Sequence, residues 1–265
     1  MRSITSLLAL CLLAANAAAQ SGQEPAKQPP SDSSGAKKAA ERMEAAKSRI
    51  KKTGETDYTL GSIQFSSATR EVRVPALVNM SKGILEYALV HEHGKTHESL
   101  LRTPVSPTEL NVALLLCHYE PHLLDAAKYV KDPEPETKAR MAQPMEHEGA
   151  NRVRLTVTWK DKTGQEHQAP LSDWIENRKV GNLWNPGHWT YTGSFISSTG
   201  FAAESDGSLI AIYFDLIALL NCPDAGNSDD ERWFVNTTSI PAQDTPVTLV
   251  FSPIPSTAGA STITR

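Results

Sequence analysis

The sequence has few cysteines, few aromatic residues and no excess of positive charge. Its 265 residues include three cysteines and 6% aromatic residues, and 26 Lys and Arg against 30 Asp and Glu give a net charge of −4. A mildly acidic chain has no electrostatic attraction for nucleic acid, so no nucleic-acid partner is predicted. The longest apolar stretch after the N-terminus, residues 209–220, contains Asp215. No transmembrane span is therefore predicted in the mature chain.

The first 19 residues have the pattern of a cleaved signal peptide. Arg2 supplies a positive charge, residues 4–13 form a short apolar core, and small residues end at Ala19, where we expect cleavage. The apolar run is shorter than the roughly 20 residues that a transmembrane helix needs. We therefore expect a periplasmic or secreted protein, which works without ATP or reduced dinucleotides, and no cofactor is predicted.

Composition divides the rest of the chain into a linker, a domain and a tail. Residues 20–56 are rich first in Pro, Ser and Gln and then in helix formers, which predicts a disordered and helical linker. Residues 57–253 form the predicted domain, with a polar, Pro-rich insertion at 131–149. Residues 254–265 are a predicted disordered tail.

Local patterns within the domain predict strands and a few short helices. Residues 71–80 alternate between apolar and polar side chains, as in a half-buried strand. Ser106, Pro107 and Glu109 form the signature of a helix start, and the helix should run to Cys117. Residues 161–164 suit a hairpin loop between two further strands.

These elements predict an α+β fold. We expect predominantly antiparallel β-structure with two or three short helices, preceded by the disordered linker.

The densest group of metal-ligand side chains is His91, His93 and His97. We expect a hairpin between strands at 84–90 and 96–101, turning near Gly94. A two-residue turn would place His97 on the face opposite to His91, whereas a three-residue loop would place both on one face. Only the second register could build a metal site from His91 and His97.

An acid–base or nucleophilic site would use Lys95, His97, Glu98 and Ser99. On a strand, His97 and Ser99 share a face and Glu98 points to the other. No nucleophile-elbow motif surrounds Ser99. These residues are therefore candidates without a catalytic signature.

Four of the five tryptophans lie between residues 159 and 189. Exposed aromatic faces could stack on sugar rings, although such residues more often pack a core. Trp184 lies in a Pro- and Gly-rich loop and is the better surface candidate, with Trp189 near it.

Cys117 and Cys222 each end an apolar run, and in an oxidising compartment they could form a disulfide or remain buried thiols.

Several short strings of the sequence occur together in one known family. They are residues 78–80, 85–87, 94–101, 112–116, 188–194, 201–204, 207–210 and 218–221. Together they resemble the YdjY-like domain of exported bacterial proteins, and Gly-Lys-Thr-His-Glu-Ser-Leu-Leu at 94–101 is the most specific string. The resemblance implies export and a fold rather than a reaction. It draws attention to Lys95, His97, Glu98 and Ser99 and away from His91 and His93. Cys117 departs from the resemblance.

We therefore predict a non-catalytic exported domain that binds an unknown extracytoplasmic ligand or protein through the face around residues 94–101. One alternative is a hydrolase-like or metal-dependent enzyme that uses His97, Glu98 and His91. The other is a carbohydrate-binding domain that uses Trp184 and Trp189.

Overall fold

A computed structural model describes residues 33–128 and 130–254. The predicted signal peptide and all but the first residue of the predicted tail lie outside this part of the chain. The described residues contain seventeen β-strands and five α-helices. None of these helices combines the length and the apolar character that a membrane crossing requires.

The strands are numbered in chain order. The first eight are β1 (Ile50–Lys52), β2 (Asp57–Leu60), β3 (Ile63–Ser66), β4 (Val72–Val78), β5 (Tyr87–His91), β6 (Ser99–Thr103), β7 (Arg152–Lys160) and β8 (Glu166–Pro170). The others are β9 (Ile175–Asn177), β10 (Asn182–Leu183), β11 (Trp189–Tyr191), β12 (Ile196–Ser197), β13 (Gly200–Phe201), β14 (Ser208–Ala211), β15 (Leu220–Asn221), β16 (Trp233–Val235) and β17 (Pro246–Pro253). Twelve of them form one sheet, β9, β10 and β16 form a second, and β12 pairs with β13.

The large sheet closes on itself as an eight-stranded barrel. The strand order is β4–β17–β7–β11–β15–β14–β5–β6, and β6 pairs again with β4, where Leu77 lies opposite Arg102 and Val78 opposite Leu101. Closure leaves these eight strands without a free edge. The sheet extends beyond the barrel through β3, β2 and β1 on one side and through β8 on the other.

The predicted α+β fold is wrong, because the domain is mostly β-structure built around this barrel. Its strands are also not all antiparallel, since β5 pairs with β6 and β14 with β15 in parallel. A strand's own residues predict which of its faces is buried, but not its partner. Here β17, near the end of the chain, pairs with both β4 and β7.

Alternating side chains of the strands fill the barrel. In β4, Val72, Val74, Ala76 and Val78 are buried and the residues between them are not, which confirms the predicted alternation. The central strand β17 contributes Phe251, which is fully buried.

The five helices are α1 (Ser33–Ser48), α2 (Pro107–Leu116), α3 (Leu124–Ala127), α4 (Pro135–Met141) and α5 (Ala202–Asp206). The predicted start of α2 is confirmed, because Pro107 opens the helix and the Ser106 hydroxyl accepts a hydrogen bond from the Glu109 N–H. The Glu109 carboxylate pairs with Arg49 beside α1. Most of α2 is buried, including its polar residues Thr108, Glu109 and Asn111.

Candidate functional site

The most specific string of the sequence lies in the connection between two parallel strands. The chain leaves β5 at His91 and enters β6 at Ser99, and Tyr87 lies opposite Ser99. Residues 92–98, which we call the return loop, are the whole connection, although parallel strands usually need a dozen or more residues between them. The predicted hairpin is therefore wrong, and neither of its two registers for His91 and His97 exists.

Two glycines allow the return loop to pass close to the start of β14. The His91 N–H donates to the Gly207 carbonyl oxygen at 2.8 Å. A Cβ on Gly207 would lie 2.9 Å from the Cα of Gly94, and Gly207 has a φ of +80°. Both the space and the backbone angle therefore require glycine at this position.

Lys95 fixes the return loop to Tyr87 of β5. Its Nζ donates to the Tyr87 hydroxyl at 2.6 Å, lies 4.9 Å from the centre of the Tyr87 ring, and is 3.4 Å from Asp206. The Tyr87 hydroxyl in turn donates to Asp215 at 3.0 Å. We call Lys95, Tyr87 and Asp215 the lysine clamp.

The electrostatics of the lysine clamp favour a structural role. Burial, followed by the charge of Asp215, raises the pKa of Tyr87 above its ordinary value. Burial lowers the pKa of Lys95, but the hydrogen bond to Tyr87 and the neighbouring carboxylates outweigh it, and the net change is upward. At neutral pH the phenol is therefore neutral and the amine is charged, and neither group acts as a base or nucleophile.

Asn79 holds the other side of the return loop. Its side-chain amide donates to the carbonyl oxygens of Thr96, at 2.6 Å, and Ser99, at 2.7 Å. Ser99 is fully buried, and its hydroxyl donates to the Leu101 carbonyl oxygen at 2.8 Å. Ser99 is thus a structural residue that no substrate can reach.

His97 and Glu98 lie at the surface and do not join Ser99. The His97 side chain is 78% exposed, and its Nε2 is 3.5 Å from the Glu98 carboxylate. The predicted shared face of His97 and Ser99 is wrong because residues 96–98 form a 3-10 turn rather than a strand. Nearby, burial and then the charges of Glu98 and Asp230 raise the pKa of Glu86.

The three histidines of the sequence cluster do not form a metal centre together. The rings of His91 and His93 are 4.0 Å apart, whereas His97 is paired with Glu98. Burial, and then His93, lower the pKa of His91. Among the described residues, the group that brings three ligand atoms together is a different one, formed by Glu120, Glu146 and His147 and mostly exposed.

A broad groove lies on the outer face of β4, β17, β7 and β8. Its volume is about 1110 Å³. One side chain from each strand forms a row across its floor: Pro75, Thr248, Thr158 and Gln168. Glu92 of the return loop and Pro104 after β6 also line it. We call this surface the outer groove.

At the rim of the outer groove, ionisable side chains of β7 and β8 pair with one another or with the hairpin loop. Lys160 lies 3.3 Å from Glu166 across the β7–β8 hairpin. His167 Nε2 is 2.8 Å from Asp161, and its ring stacks on Trp159 with centroids 5.3 Å apart. The His167 imidazole thus contacts the Asp161 carboxylate and the Trp159 indole, and it is not paired with a threonine hydroxyl that it could activate. The arrangement is suited to binding rather than to nucleophilic chemistry.

The family of the chain follows from a comparison with known families. A family model for the YdjY domain matches residues 63–252, which is most of the chain. The chain belongs to the YdjY domain family. This confirms the resemblance inferred from the short strings, and the match extends from the start of β3 into β17. No curated protein and no solved structure matches the chain.

In this YdjY domain the family-like strings meet around the return loop. Asn79, Tyr87, Lys95 and Gly207 come from four different strings, and each of them holds the loop or allows its close passage. The strings that carry the resemblance therefore build a structural feature of the barrel. His97 is the member of the most specific string whose side chain remains largely in solvent.

The two tryptophans proposed for carbohydrate binding are buried in the YdjY domain. Trp184 is 5% exposed and Trp189 is 2% exposed. Their rings meet edge to face with centroids 5.2 Å apart, and Trp184 also packs against Trp233, with centroids 4.8 Å apart. The prediction of a surface Trp184 is wrong because these aromatic rings cover one another, and neither offers a face to a sugar.

The two cysteines are free and buried, so the structure does not contain the possible disulfide between them. The Cys117 thiol approaches the Ser66 carbonyl oxygen at 3.6 Å, whereas the Cys222 sulfur accepts a hydrogen bond from the Asp224 N–H at 3.3 Å. Burial raises the pKa of Cys117 to about 12 and also raises that of Cys222. Both are thiols that water does not reach.

Sequence reasoning missed Asp215, Asn79 and the outer groove. The signal for Asp215 was its position as a lone carboxylate in an apolar stretch, and Asn79 lay within a family-like string. The groove had no such signal, because its side chains come from four strands that are distant in the sequence.

Proposed function

We propose that this YdjY domain is an exported, non-catalytic binding domain that holds a segment of another polypeptide in the outer groove. The observation that carries the proposal is the groove itself, a concave surface of about 1110 Å³ formed by four neighbouring strands. Export is supported by the signal-peptide pattern of the first 19 residues.

The state of the catalytic candidates supports binding rather than catalysis. Ser99 is buried, Lys95 is charged and bound to Tyr87, and His97 lies in solvent beside Glu98. A nucleophile needs a base within hydrogen-bond distance and a site where the substrate can reach both. These residues do not provide that arrangement.

The size and chemistry of the floor favour a polypeptide as the ligand. β8 has five residues, each paired with β7, so an extended peptide of five or six residues at about 3.3 Å each matches the groove when it lies parallel to the strands. Thr158, Thr248 and Gln168 offer neutral hydrogen-bonding groups, and Leu77 and Pro246 add apolar surface. This mixture suits a peptide backbone with small side chains.

Peptide selection tests the proposal. A phage-displayed library of random 12-residue peptides is selected on the immobilised chain, and the selected peptides are titrated by calorimetry. Thr158→Arg and Thr248→Arg each place a long side chain in the groove, whereas Val180→Arg changes an exposed position that does not line it. We expect both groove variants to weaken binding at least tenfold and Val180→Arg to leave it unchanged.

Two results would overturn the proposal. The first is a selection that yields no peptide with a Kd below 1 mM. The second is a set of peptides that bind Thr158→Arg and Thr248→Arg as tightly as the unaltered chain.

A further inference from the structure

The outer edge of β8 carries backbone groups that no other strand of the described chain uses. β8 pairs with β7 alone, and His167 lies opposite Trp159. The Asp161 N–H donates to the Gln165 carbonyl oxygen, so these two residues face each other with their backbone groups. In an antiparallel ladder every second pair does so, and the next such pair here is Trp159 with His167. It follows that Glu166 and Gln168 direct their N–H and C=O groups away from β7, toward the free edge.

The two edges of the large sheet differ in how they are protected. The edge strand β1 has only three residues, and two of them are the exposed lysines Lys51 and Lys52. Short length and lysine are both known means of blocking strand addition. β8 has five residues, and its one proline, Pro170, is the last of them, while the residues before it, 166–169, contain no lysine. This edge is therefore the one open to another strand.

Two cations without ion-pair partners in the described chain bracket β8. Arg154 is exposed on β7, two residues before Thr156, which lies opposite the last residue of β8. Lys162 is exposed in the hairpin loop that precedes β8. The two carboxylates nearby have other partners, since Glu166 lies against Lys160 and Asp161 against Thr163 and His167. A ligand along β8 thus meets a neutral centre with a positive charge beyond each end.

We propose that β8 accepts, by strand addition, an extended segment of a partner protein whose uncharged core is flanked by acidic residues. The inference rests on the proposed function, because Gln168 belongs both to the edge and to the floor of the outer groove. The added strand exchanges backbone hydrogen bonds with Glu166 and Gln168. Its side chains on the groove side continue the row that crosses the floor.

The charges set the spacing of the acidic residues. Arg154 and Lys162 are eight positions apart in the chain, which corresponds to roughly 26 Å at about 3.3 Å per residue. Acidic residues separated by seven uncharged residues therefore match the two cations. A suitable probe is the capped peptide Glu-Val-Thr-Val-Thr-Val-Thr-Val-Glu, with a Lys-flanked version as its control.

The test first asks whether the peptide backbone pairs with β8. Two further probes carry N-methyl groups at the even or at the odd positions of the core. Alternate residues of a strand direct their N–H groups to opposite sides, so only one set faces β8. We expect one N-methylated peptide to lose at least tenfold in affinity while the other binds like the parent. Equal binding of both, or equal loss in both, would overturn strand addition.

The matching change in the protein is Gln168→Pro, which removes the N–H that faces the free edge and spares those that pair with β7. Gln168→Ala keeps the N–H and is the control. Both variants lose the Gln168 side chain, which lines the groove, so their difference isolates the backbone N–H. We expect Gln168→Pro to bind at least tenfold more weakly than Gln168→Ala, and slower hydrogen exchange of the Gln168 amide in the complex of the unaltered chain. An exchange rate that the peptide leaves unchanged, or equal affinity for the Lys-flanked peptide, would contradict the proposal.

These outcomes separate the inference from the function on which it rests. If groove-selected peptides depend on Thr158 but bind Gln168→Pro normally, strand addition is wrong and groove binding stands. If neither Thr158→Arg nor Gln168→Pro affects them, the proposed function is wrong as well. Self-association of the chain that Gln168→Pro abolishes would show that the edge serves a second copy, and would also overturn the proposal.

Discussion

Replacing Tyr87 by Phe removes the central group of the lysine clamp. The hydroxyl accepts a hydrogen bond from Lys95 at 2.6 Å and donates one to Asp215 at 3.0 Å, and the side chain is 3% exposed. Phe keeps the ring and its packing against the return loop. The substitution therefore isolates the two hydrogen bonds from the apolar contacts.

The expected loss of stability is about 2 kcal/mol. A hydrogen bond to a charged group contributes about 1.5–3 kcal/mol, and a buried partner left unsatisfied costs about 1–3 kcal/mol. Lys95 and Asp215 are both partly exposed, so water replaces part of what they lose. We therefore expect the total loss of stability to lie near the lower end of these ranges, at about 2 kcal/mol. In a domain of this size it corresponds to a decrease in Tm of roughly 4–8 °C.

Urea unfolding followed by tryptophan fluorescence measures this loss. Tyr213→Phe is the matched control, since Tyr213 is exposed and its substitution should change stability by less than about 0.5 kcal/mol. A double-mutant cycle with Lys95→Met should give a coupling of at least about 0.5 kcal/mol. If Tyr87→Phe changes stability no more than the control, the lysine clamp does not hold the return loop.

Three further predictions concern backbone, charge and thiols. Gly207→Ala should destabilise the domain by more than about 2 kcal/mol, because the new Cβ would lie 2.9 Å from backbone atoms of Gly94. Gly164 also has a positive φ but has open space around it, so Gly164→Ala should lose only about 1–2 kcal/mol. Equal losses in urea unfolding would be evidence against the close passage of the return loop. The raised pKa of Glu86 means that its stabilising contribution at low pH is lost as pH rises through its folded-state pKa. Glu86→Gln should therefore raise the free energy of unfolding in urea at pH 7 but leave it unchanged at pH 4, and an effect at pH 4 alone would contradict this. Cys117 and Cys222 should be inert to a disulfide reagent at pH 7.5 until urea unfolds the chain, and a fast reaction of either in the native state would refute their burial.

Local structure was predictable wherever neighbouring residues determine it. The alternation in β4, the Ser106 cap of α2 and the β7–β8 hairpin all follow from side chains within a few residues of one another. The predicted hairpin at Gly94 was wrong because that prediction also used only neighbouring residues. A glycine between two apolar runs is typical of a hairpin, and only the distant contacts of the loop turn it into a parallel connection.

The closure of the barrel and the candidate site depend on residues that are far apart in the sequence. Lys95 is recognisable as a candidate, but the hydrogen bonds of the lysine clamp lead through Tyr87 to Asp215, which is 120 positions from Lys95. Trp184 lies in a segment with the composition of a surface loop, and it is buried because Trp189 and Trp233 pack against it. The pattern of apolar and polar residues in a short stretch of sequence cannot reveal such contacts, because the tertiary fold determines them.

The central claim has two halves: the family-like strings of this YdjY domain hold the return loop of the barrel, and its outer groove binds a polypeptide segment. Calorimetric titration of one groove-selected peptide into the unaltered chain, Thr158→Arg and Tyr87→Phe tests both halves together, at a temperature where all three are folded. We predict equal affinity for the unaltered chain and Tyr87→Phe and at least a tenfold loss for Thr158→Arg. Binding that survives Thr158→Arg but disappears in folded Tyr87→Phe would contradict the account.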